Sequence, residues 1–82
     1  MKARSKLRML FQHKRWSIFE TIRNNPGINI TKIVNTLNVD QPYVSNVVST
    51  LKHWGLVDKK KQGKSIACTV NEEKLKELLN EI

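Results

Sequence analysis

Compact polar side chains without a single charge dominate the stretch from Gln41 to Ser49. In the DNA major groove, Asn and Gln can form paired hydrogen bonds with adenine, and the Ser hydroxyl can donate or accept a hydrogen bond at a base edge. Tyr can reach a phosphate or contact a thymine methyl group. The pattern therefore favours a helix that recognises base edges. The alternative is a solvent-facing helix that happens to be polar, but such helices more often use Glu, Lys or Ala. We expect these residues to contact DNA: Gln41, Pro42, Tyr43, Ser45, Asn46, Ser49 and Lys52.

A run of lysines follows that stretch, and we expect Lys60, Lys61 and Lys64 to bind the flanking phosphates. Taken alone, a solvated hairpin tip explains the run equally well, and the neighbouring polar helix favours the DNA interpretation. The chain of 82 residues has a net charge of +8, and its first 70 residues carry +10 because residues 71–82 are net acidic. This sorting favours a polyanionic partner, which is nucleic acid or, less often, an anionic membrane surface.

Catalytic and metal-binding patterns are missing from the sequence. It has no Gly-rich phosphate loop, serine elbow or paired carboxylates, so we expect no enzyme activity. His13 and His53 are far apart and have no acidic or thiol cluster beside them, so we expect no metal and no cofactor. A phosphate contact is the more plausible role for His53. Cys68 alternates with apolar neighbours and should face the core, with a redox switch as the alternative.

Helical periodicity and capping residues indicate how these groups are positioned. An apolar stripe predicts a helix over residues 5–24, and its weakening at residues 12–15 leaves open a break into two helices. Asn29 should cap a short helix that ends near Leu37. After a turn over residues 38–40, Asp40 should cap the polar helix, and Gly55 should end it in a left-handed conformation.

The remaining third of the chain reads as a hairpin and a final helix. Residues 56–60 and 64–70 are predicted strands joined by a basic tip, and Asn71 should cap a helix over residues 72–81. The predicted fold class is α+β and mainly helical: a winged helix-turn-helix with a two-stranded β-hairpin wing and a C-terminal helix. We expect one domain over residues 1–82, with the helix-turn-helix at about 29–54 and the wing at about 56–70.

Residues 28–57, INITKIVNTLNVDQPYVSNVVSTLKHWGLV, resemble winged helix-turn-helix repressors of the arsenic-resistance (ArsR) type. The likeness rests on DQPYVS at residues 40–45 and on Leu51 followed by Gly55-Leu56-Val57, and it extends over about residues 7–70. In this family the positions matching Gln41, Tyr43, Ser45 and Asn46 face the groove. The family's paired-cysteine metal box would fall on Thr31-Lys32-Ile33-Val34, which has no cysteine, and this argues against metal sensing there.

The resemblance implies a homodimeric repressor joined through its N- and C-terminal helices. The basic first helix and the net-acidic last helix have complementary charges that suit such an interface. Trp16 and Trp54 are expected in the core or at this interface. We expect the apolar part of the interface to comprise Leu7, Leu10, Phe11, Leu75, Leu78, Leu79 and Ile82.

Together these patterns predict a sequence-specific, double-stranded-DNA-binding transcriptional regulator, a repressor that acts as a homodimer. The rival interpretation is a winged helix that binds protein and no specific DNA, and a weaker one is nucleic-acid coating without sequence preference. No apolar run approaches the length of a membrane span and no secretory signal is evident, so a cytoplasmic location is expected. Neither the operator nor an inducing signal can be read from the sequence.

Overall fold

The structure, a computed structural model, describes Arg8, Leu10 and residues 12–80. The described elements in chain order are α1 (His13–Asn24), β1 (Ile28–Asn29), α2 (Ile30–Leu37), α3 (Gln41–His53), β2 (Val57–Gln62), β3 (Ser65–Val70) and α4 (Glu72–Asn80). Helices α2 and α3 form the helix-turn-helix, and β2 and β3 form the wing. The predicted winged helix-turn-helix fold is therefore confirmed.

Helix α1 begins after a break in the N-terminal helical stripe. Gln12 has an extended backbone, with φ −64° and ψ 139°, while Arg8 and Leu10 before it are helical. The open alternative of two helices is therefore the correct one. Ile18, Phe19 and Ile22 recur at helical spacing on α1 and are completely buried, so this helix forms one wall of the core.

Local capping sets the bounds of α2 and the end of α3. The Asn29 side chain accepts a hydrogen bond from the backbone N–H of Lys32 at 2.7 Å, as expected for an N-cap. Asn38 ends α2 in the left-handed region with φ 54°, a conformation that Asn tolerates better than most residues. Gly55 has φ 81°, and the backbone N–H of Leu56 bonds to the carbonyl of Leu51, so α3 ends in a Schellman motif.

The sheet has three antiparallel strands in the order β1-β3-β2, one more than the sequence predicted. The extra strand is β1, in which Ile28 pairs with Cys68 and Asn29 with Ala67. Strand β2 also extends two residues further than expected, because Lys61 and Gln62 belong to it and Gln62 pairs with Ser65. The hairpin loop is therefore only two residues, with Gly63 at φ 60° providing the positive φ that such a tight loop needs.

Helix α4 closes the core on the side of the C-terminus. The Asn71 side chain accepts from the backbone N–H of Lys74 at 3.1 Å, which is the predicted cap. Leu75 and Leu78 turn inward and are only 5% and 2% exposed. Buried residues from all four helices and from β2 and β3 form one apolar cluster, and its helix-turn-helix part comprises Ile33, Val44, Val47, Val48 and Leu51.

Candidate nucleic-acid interface

The two faces of α3 differ sharply in burial. Its inner valines and Leu51 are at most 5% exposed, so packing holds the helix by one side. The predicted contact residues occupy the rest of the surface: Gln41, Pro42, Asn46, Ser49 and Lys52 are exposed, and Tyr43 and Ser45 are partly buried. The structure thus places all seven on one helix, with Tyr43 packed against the edge of the core. Their contacts with DNA stay a prediction.

Within that outer surface, the hydrogen-bonding groups form a row along one flank. Gln41, Ser45 and Ser49 are spaced four residues apart, so their side chains lie above one another on the helix. Tyr43 lies on the opposite flank, where it lines a groove together with Lys14, Asn38 and Asp40. The outer face is therefore bordered on the Tyr43 side by the start of α1.

Asp40 does not act as the sequence predicted. It occupies the N-cap position of α3 with φ −68° and ψ 139°, but its side chain makes no capping hydrogen bond. Its carbonyl oxygen instead accepts the first intrahelical bond, from the N–H of Val44 at 3.1 Å. The Asp40 carboxylate therefore leaves the amides of the first turn without a side-chain partner from the cap.

Strand register divides the wing lysines between two faces of the hairpin. Directly paired residues share a face, so Lys59 lies with Cys68 and Lys61 with Ile66, on the side of the buried Val57. Lys60 pairs with Ala67 on the other face of the sheet. The charge run that looks uniform in sequence is thus split by strand alternation.

Contacts join the wing to α3 at two places. The Lys59 Nζ donates to Ser49 Oγ at 3.5 Å, midway along the helix. Nearer the wing tip, Gln41 shares a groove with Lys64, Ile66 and Thr31. The polar row of α3 and the basic hairpin therefore form one continuous surface.

Positive charge on this surface is not neutralised within the part of the chain that the structure describes. The ion pairs among those residues join Arg23 to Glu20 and Glu72, and Lys74 to Glu77. None of them includes a lysine of α3 or of the wing. These ammonium groups therefore remain available to an anionic partner.

Two basic residues at this surface were missed by the sequence-based assignment. Lys59 was treated as part of a strand, although its alternation with the buried Val57 could have placed it on the face toward α3. Lys14 received no role in the sequence analysis, and its place beside Tyr43 depends on how α1 packs. No local sequence signal reveals that Lys14 lies beside Tyr43.

The residues predicted at the dimer interface differ in their accessibility. Leu10, Leu75 and Leu78 are buried inside the chain's own core, which accounts for their apolar character. Leu79 is 46% exposed and is accessible to a second copy. The positions Leu7, Phe11 and Ile82 lie outside the described residues. The interface itself stays a prediction.

Cys68 and the tryptophans pack as the sequence indicated. Cys68 is fully buried, and this burial raises the pKa of its thiol, although the nearby charge of Lys59 acts in the opposite direction. Trp16 and Trp54 pack against the core, and the Trp16 ring centroid lies 5.6 Å from that of Phe19. Within the described ranges, no three His, Cys, Asp or Glu side chains cluster as a metal site requires. No helix in those ranges is long and apolar enough to cross a bilayer.

Solved structures with the same fold are numerous among transcriptional regulators. An ArsR-like transcriptional regulator from Rhodococcus sp. RHA1 matches with a TM-score of 0.81 and 19% identity, over 95% of this chain and 73% of that one. A "predicted DNA-binding transcriptional regulator" from E. coli matches with a TM-score of 0.78 and 18% identity, over 95% and 83%. At these identities the likeness shows the fold alone.

A MarR protein from Peptoclostridium difficile is 26% identical, with a TM-score of 0.75, and the match covers 94% of this chain and 52% of that one. A search of curated proteins found no match. The family model of the MarR family matches residues 11–64, about two thirds of the chain. The more specific ArsR-type assignment is not tested by these matches and stays a prediction. The chain belongs to the MarR family of winged-helix, DNA-binding transcriptional regulators.

Proposed function

We propose that this protein is a repressor that binds double-stranded DNA sequence-specifically as a homodimer in the cytoplasm. One observation carries the proposal: the uncharged hydrogen-bonding groups of α3 between Gln41 and Ser49 adjoin a lysine-rich wing whose lysines make no ion pair among the described residues. Compact polar groups suit base edges, and unpaired lysines suit phosphates. An ordinary solvated surface would not require both on adjoining elements.

In this proposal, α3 enters the major groove and the wing binds the flanking backbone. Asn46 is exposed and points away from the core, so its amide can form the two hydrogen bonds that an adenine edge offers. Gln41 and Lys64 share a groove, which would bring a base-reading group and a phosphate-binding group to the same end of the helix. Lys61 and Lys64, both exposed, would supply the non-specific part of the affinity.

Dimerisation would give the protein a two-fold symmetric pair of recognition helices. The resemblance to ArsR-type repressors supports this, as does the exposed Leu79 on α4. A symmetric dimer predicts a near-palindromic operator with half-sites about 10 base pairs apart, or a multiple of that spacing. Light scattering that shows only a monomer at micromolar concentration would count against this part of the proposal.

The decisive experiment selects binding sites from random duplexes and then measures a specificity ratio at one fixed salt concentration. Asn46→Ala should lower the preference for the selected site over a site with one changed base pair, by about 1–3 kcal/mol, because the amide no longer discriminates. Asn24→Ala is the matched control. Asn24 is an exposed Asn at the end of α1, next to Arg23, whose partner lies on α4 and not on the wing.

The outcomes of that experiment separate the proposal from its rivals. A selected consensus whose preference falls in Asn46→Ala and not in Asn24→Ala supports a base-reading α3. Binding without any consensus would favour a coating protein, since phosphate contacts alone carry no sequence information. Failure to bind any duplex even at low salt would leave the protein-interaction module as the better interpretation.

A further inference from the structure

The lysine with the most unusual position in the wing is Lys59. It is partly buried, whereas Lys60, Lys61 and Lys64 are exposed. Strand alternation places it on the core side, two residues after the fully buried Val57. Its apolar stem can therefore cover the edge of the core while its ammonium group reaches outward.

The outward end of Lys59 meets the middle of α3. Its Nζ lies 3.5 Å from Ser49 Oγ, the last member of the polar row that begins at Gln41. An ammonium group has three donors, and Ser49 can take only one of them. At least two donors and a full positive charge are thus presented at the junction between α3 and the wing.

No carboxylate balances that charge within the described ranges, since none of their ion pairs includes Lys59. The charge of Lys59 acts on the nearby Cys68 thiol, where it lowers the pKa and so opposes the larger effect of burial, which raises it. The ammonium group reaches outward with donors that Ser49 does not use, so an external anion can bind it. The junction therefore presents a cation, unpaired among the residues that the structure describes, next to the polar row of α3.

Lys60, the next residue, has a different environment although its charge is the same. It is exposed on the other face of the sheet, the face that also carries Asp58 two residues earlier. Lys60 therefore lies on the opposite face of the sheet from the contact between Lys59 and Ser49. Charge alone does not distinguish the two lysines, but strand alternation does, and the register confirms it.

We propose that Lys59, more than Lys60, is the β2 lysine that binds a DNA phosphate, at the junction where the backbone passes from α3 to the wing. Ser49 holds the Lys59 side chain in position in the free protein, so less conformational freedom is lost on binding. This inference rests on the proposed DNA-binding function. It adds a contact residue that links the base-reading helix to the phosphate-binding hairpin.

The test compares the salt dependence of duplex binding for single-charge variants. Lys59→Met and Lys60→Met each remove one charge and keep most of the aliphatic stem. Lys76→Met, on the exposed surface of α4, is the control for a general loss of charge. Each affinity is measured by fluorescence anisotropy on one selected duplex over a range of salt concentrations. Amide NMR spectra of the free variants report whether each one is folded.

One lost phosphate contact should reduce the slope of log K against log salt by about 0.9. We expect that reduction for Lys59→Met, a smaller one for Lys60→Met and none for Lys76→Met. Equal slopes for Lys59→Met and Lys76→Met, or a larger reduction for Lys60→Met than for Lys59→Met, would overturn the inference. If Lys59→Met does not fold, Lys59→Gln gives the same comparison with a polar side chain.

Failure of this inference can be distinguished from failure of the proposed function. If the unmodified protein binds no duplex, the proposed function is wrong. If it binds and the Lys59 variants retain its slope, only the role of Lys59 is wrong. Ser49→Ala adds a check on the division of roles: it keeps the Lys59 charge, so the salt slope should be retained. A reduced slope in Ser49→Ala would contradict the division of roles between the two residues.

Discussion

The ion pair between α1 and α4 allows a prediction whose size can be worked out from the geometry. Arg23 Nε and Nη2 donate to the two carboxylate oxygens of Glu72 at 3.1 and 3.0 Å, which is a bidentate arrangement. It joins residues 49 positions apart in sequence. Because it connects the end of α1 to the start of α4, it should help to hold α4 against the core.

The stabilisation should be modest because the pair is solvent-exposed. Unit charges 3 Å apart in bulk water interact by about 1.4 kcal/mol, before the entropy cost of ordering two long side chains. The Arg23 and Glu72 side chains are 41% and 50% exposed, so solvent screening applies. We therefore expect Glu72→Gln to lower the free energy of unfolding by about 0.5–1 kcal/mol. In a domain of this size that corresponds to a fall in Tm of about 2–8 °C.

Glu73→Gln is the matched control for this experiment. Glu73 is exposed in the same first turn of α4, so both variants lose the favourable interaction of an acid with the helix dipole. No ion pair within the described part of the chain includes Glu73. The difference between the two variants therefore isolates the contact with Arg23. Arg23 itself is a poorer target, because it also lies 3.9 Å from Glu20.

The assay is urea unfolding of the three proteins at one protein concentration and at two ionic strengths. At about 0.01 M salt the Debye length is about 30 Å, and at about 1 M it is about 3 Å. The extra loss in Glu72→Gln should be present at low salt and should shrink at high salt. Equal losses in Glu72→Gln and Glu73→Gln at low salt would refute the reasoning, since the ion pair would then contribute nothing beyond the dipole.

Two further predictions concern helix capping and the buried thiol. Asn29→Ala should lower the free energy of unfolding by about 1 kcal/mol because it removes an N-cap hydrogen bond. Asp40→Ala should lower it less, because the Asp40 side chain makes no such bond. Equal decreases in the urea midpoints of the two variants would contradict this difference. The raised pKa of Cys68 means that the unfolded chain releases the thiol proton first, so the free energy of unfolding should fall as the pH rises through about 8.5. Cys68→Ala should have a flatter profile between about pH 8 and 9.5, and an unchanged slope would show that other groups cause the decline.

Helices were predictable from the sequence because their signals are local. The caps at Asn29 and Asn71 and the left-handed Gly55 all lie within a few residues of the helix ends that they define. Apolar residues three and four positions apart likewise indicated which side of α3 is buried. The exception is Asp40, a good capping residue by type whose side chain does not make the bond.

The sheet was less predictable because its limits depend on distant partners. Strand β1 has only two residues, and its pairing with Cys68 and Ala67 spans about half of the chain. A two-residue segment is too short to show any alternation. The extension of β2 to Gln62 depends on its pairing with Ser65 across a tight turn, and the charge of the lysines obscured that alternation.

The residue types of the candidate site were predictable from the sequence, but the face of the wing on which each lysine lies was harder to predict. The polar composition of α3 singled out its base-reading candidates, but the lysines of the wing were selected by charge alone. Charge does not say which side of a strand a lysine occupies. Alternation puts Lys59 and Lys60 on opposite faces, and the position of the buried Val57 tells which face is toward the core. The contact between Lys59 and Ser49 is a tertiary feature that no spacing rule contains.

The composition of α3 has a consequence for any mutational study of this surface. Its Ser, Asn, Thr and β-branched Val residues have modest helix propensity, so the helix depends on packing for its stability. That packing comes from the inner face, where Val44 and Val48 are fully buried. Truncating either one would loosen the helix and displace the DNA-facing groups without touching them. A loss of DNA affinity therefore identifies a contact residue only in a variant whose stability equals that of the unmodified protein, and this requirement applies to Ser49 and Asn46 as much as to the core.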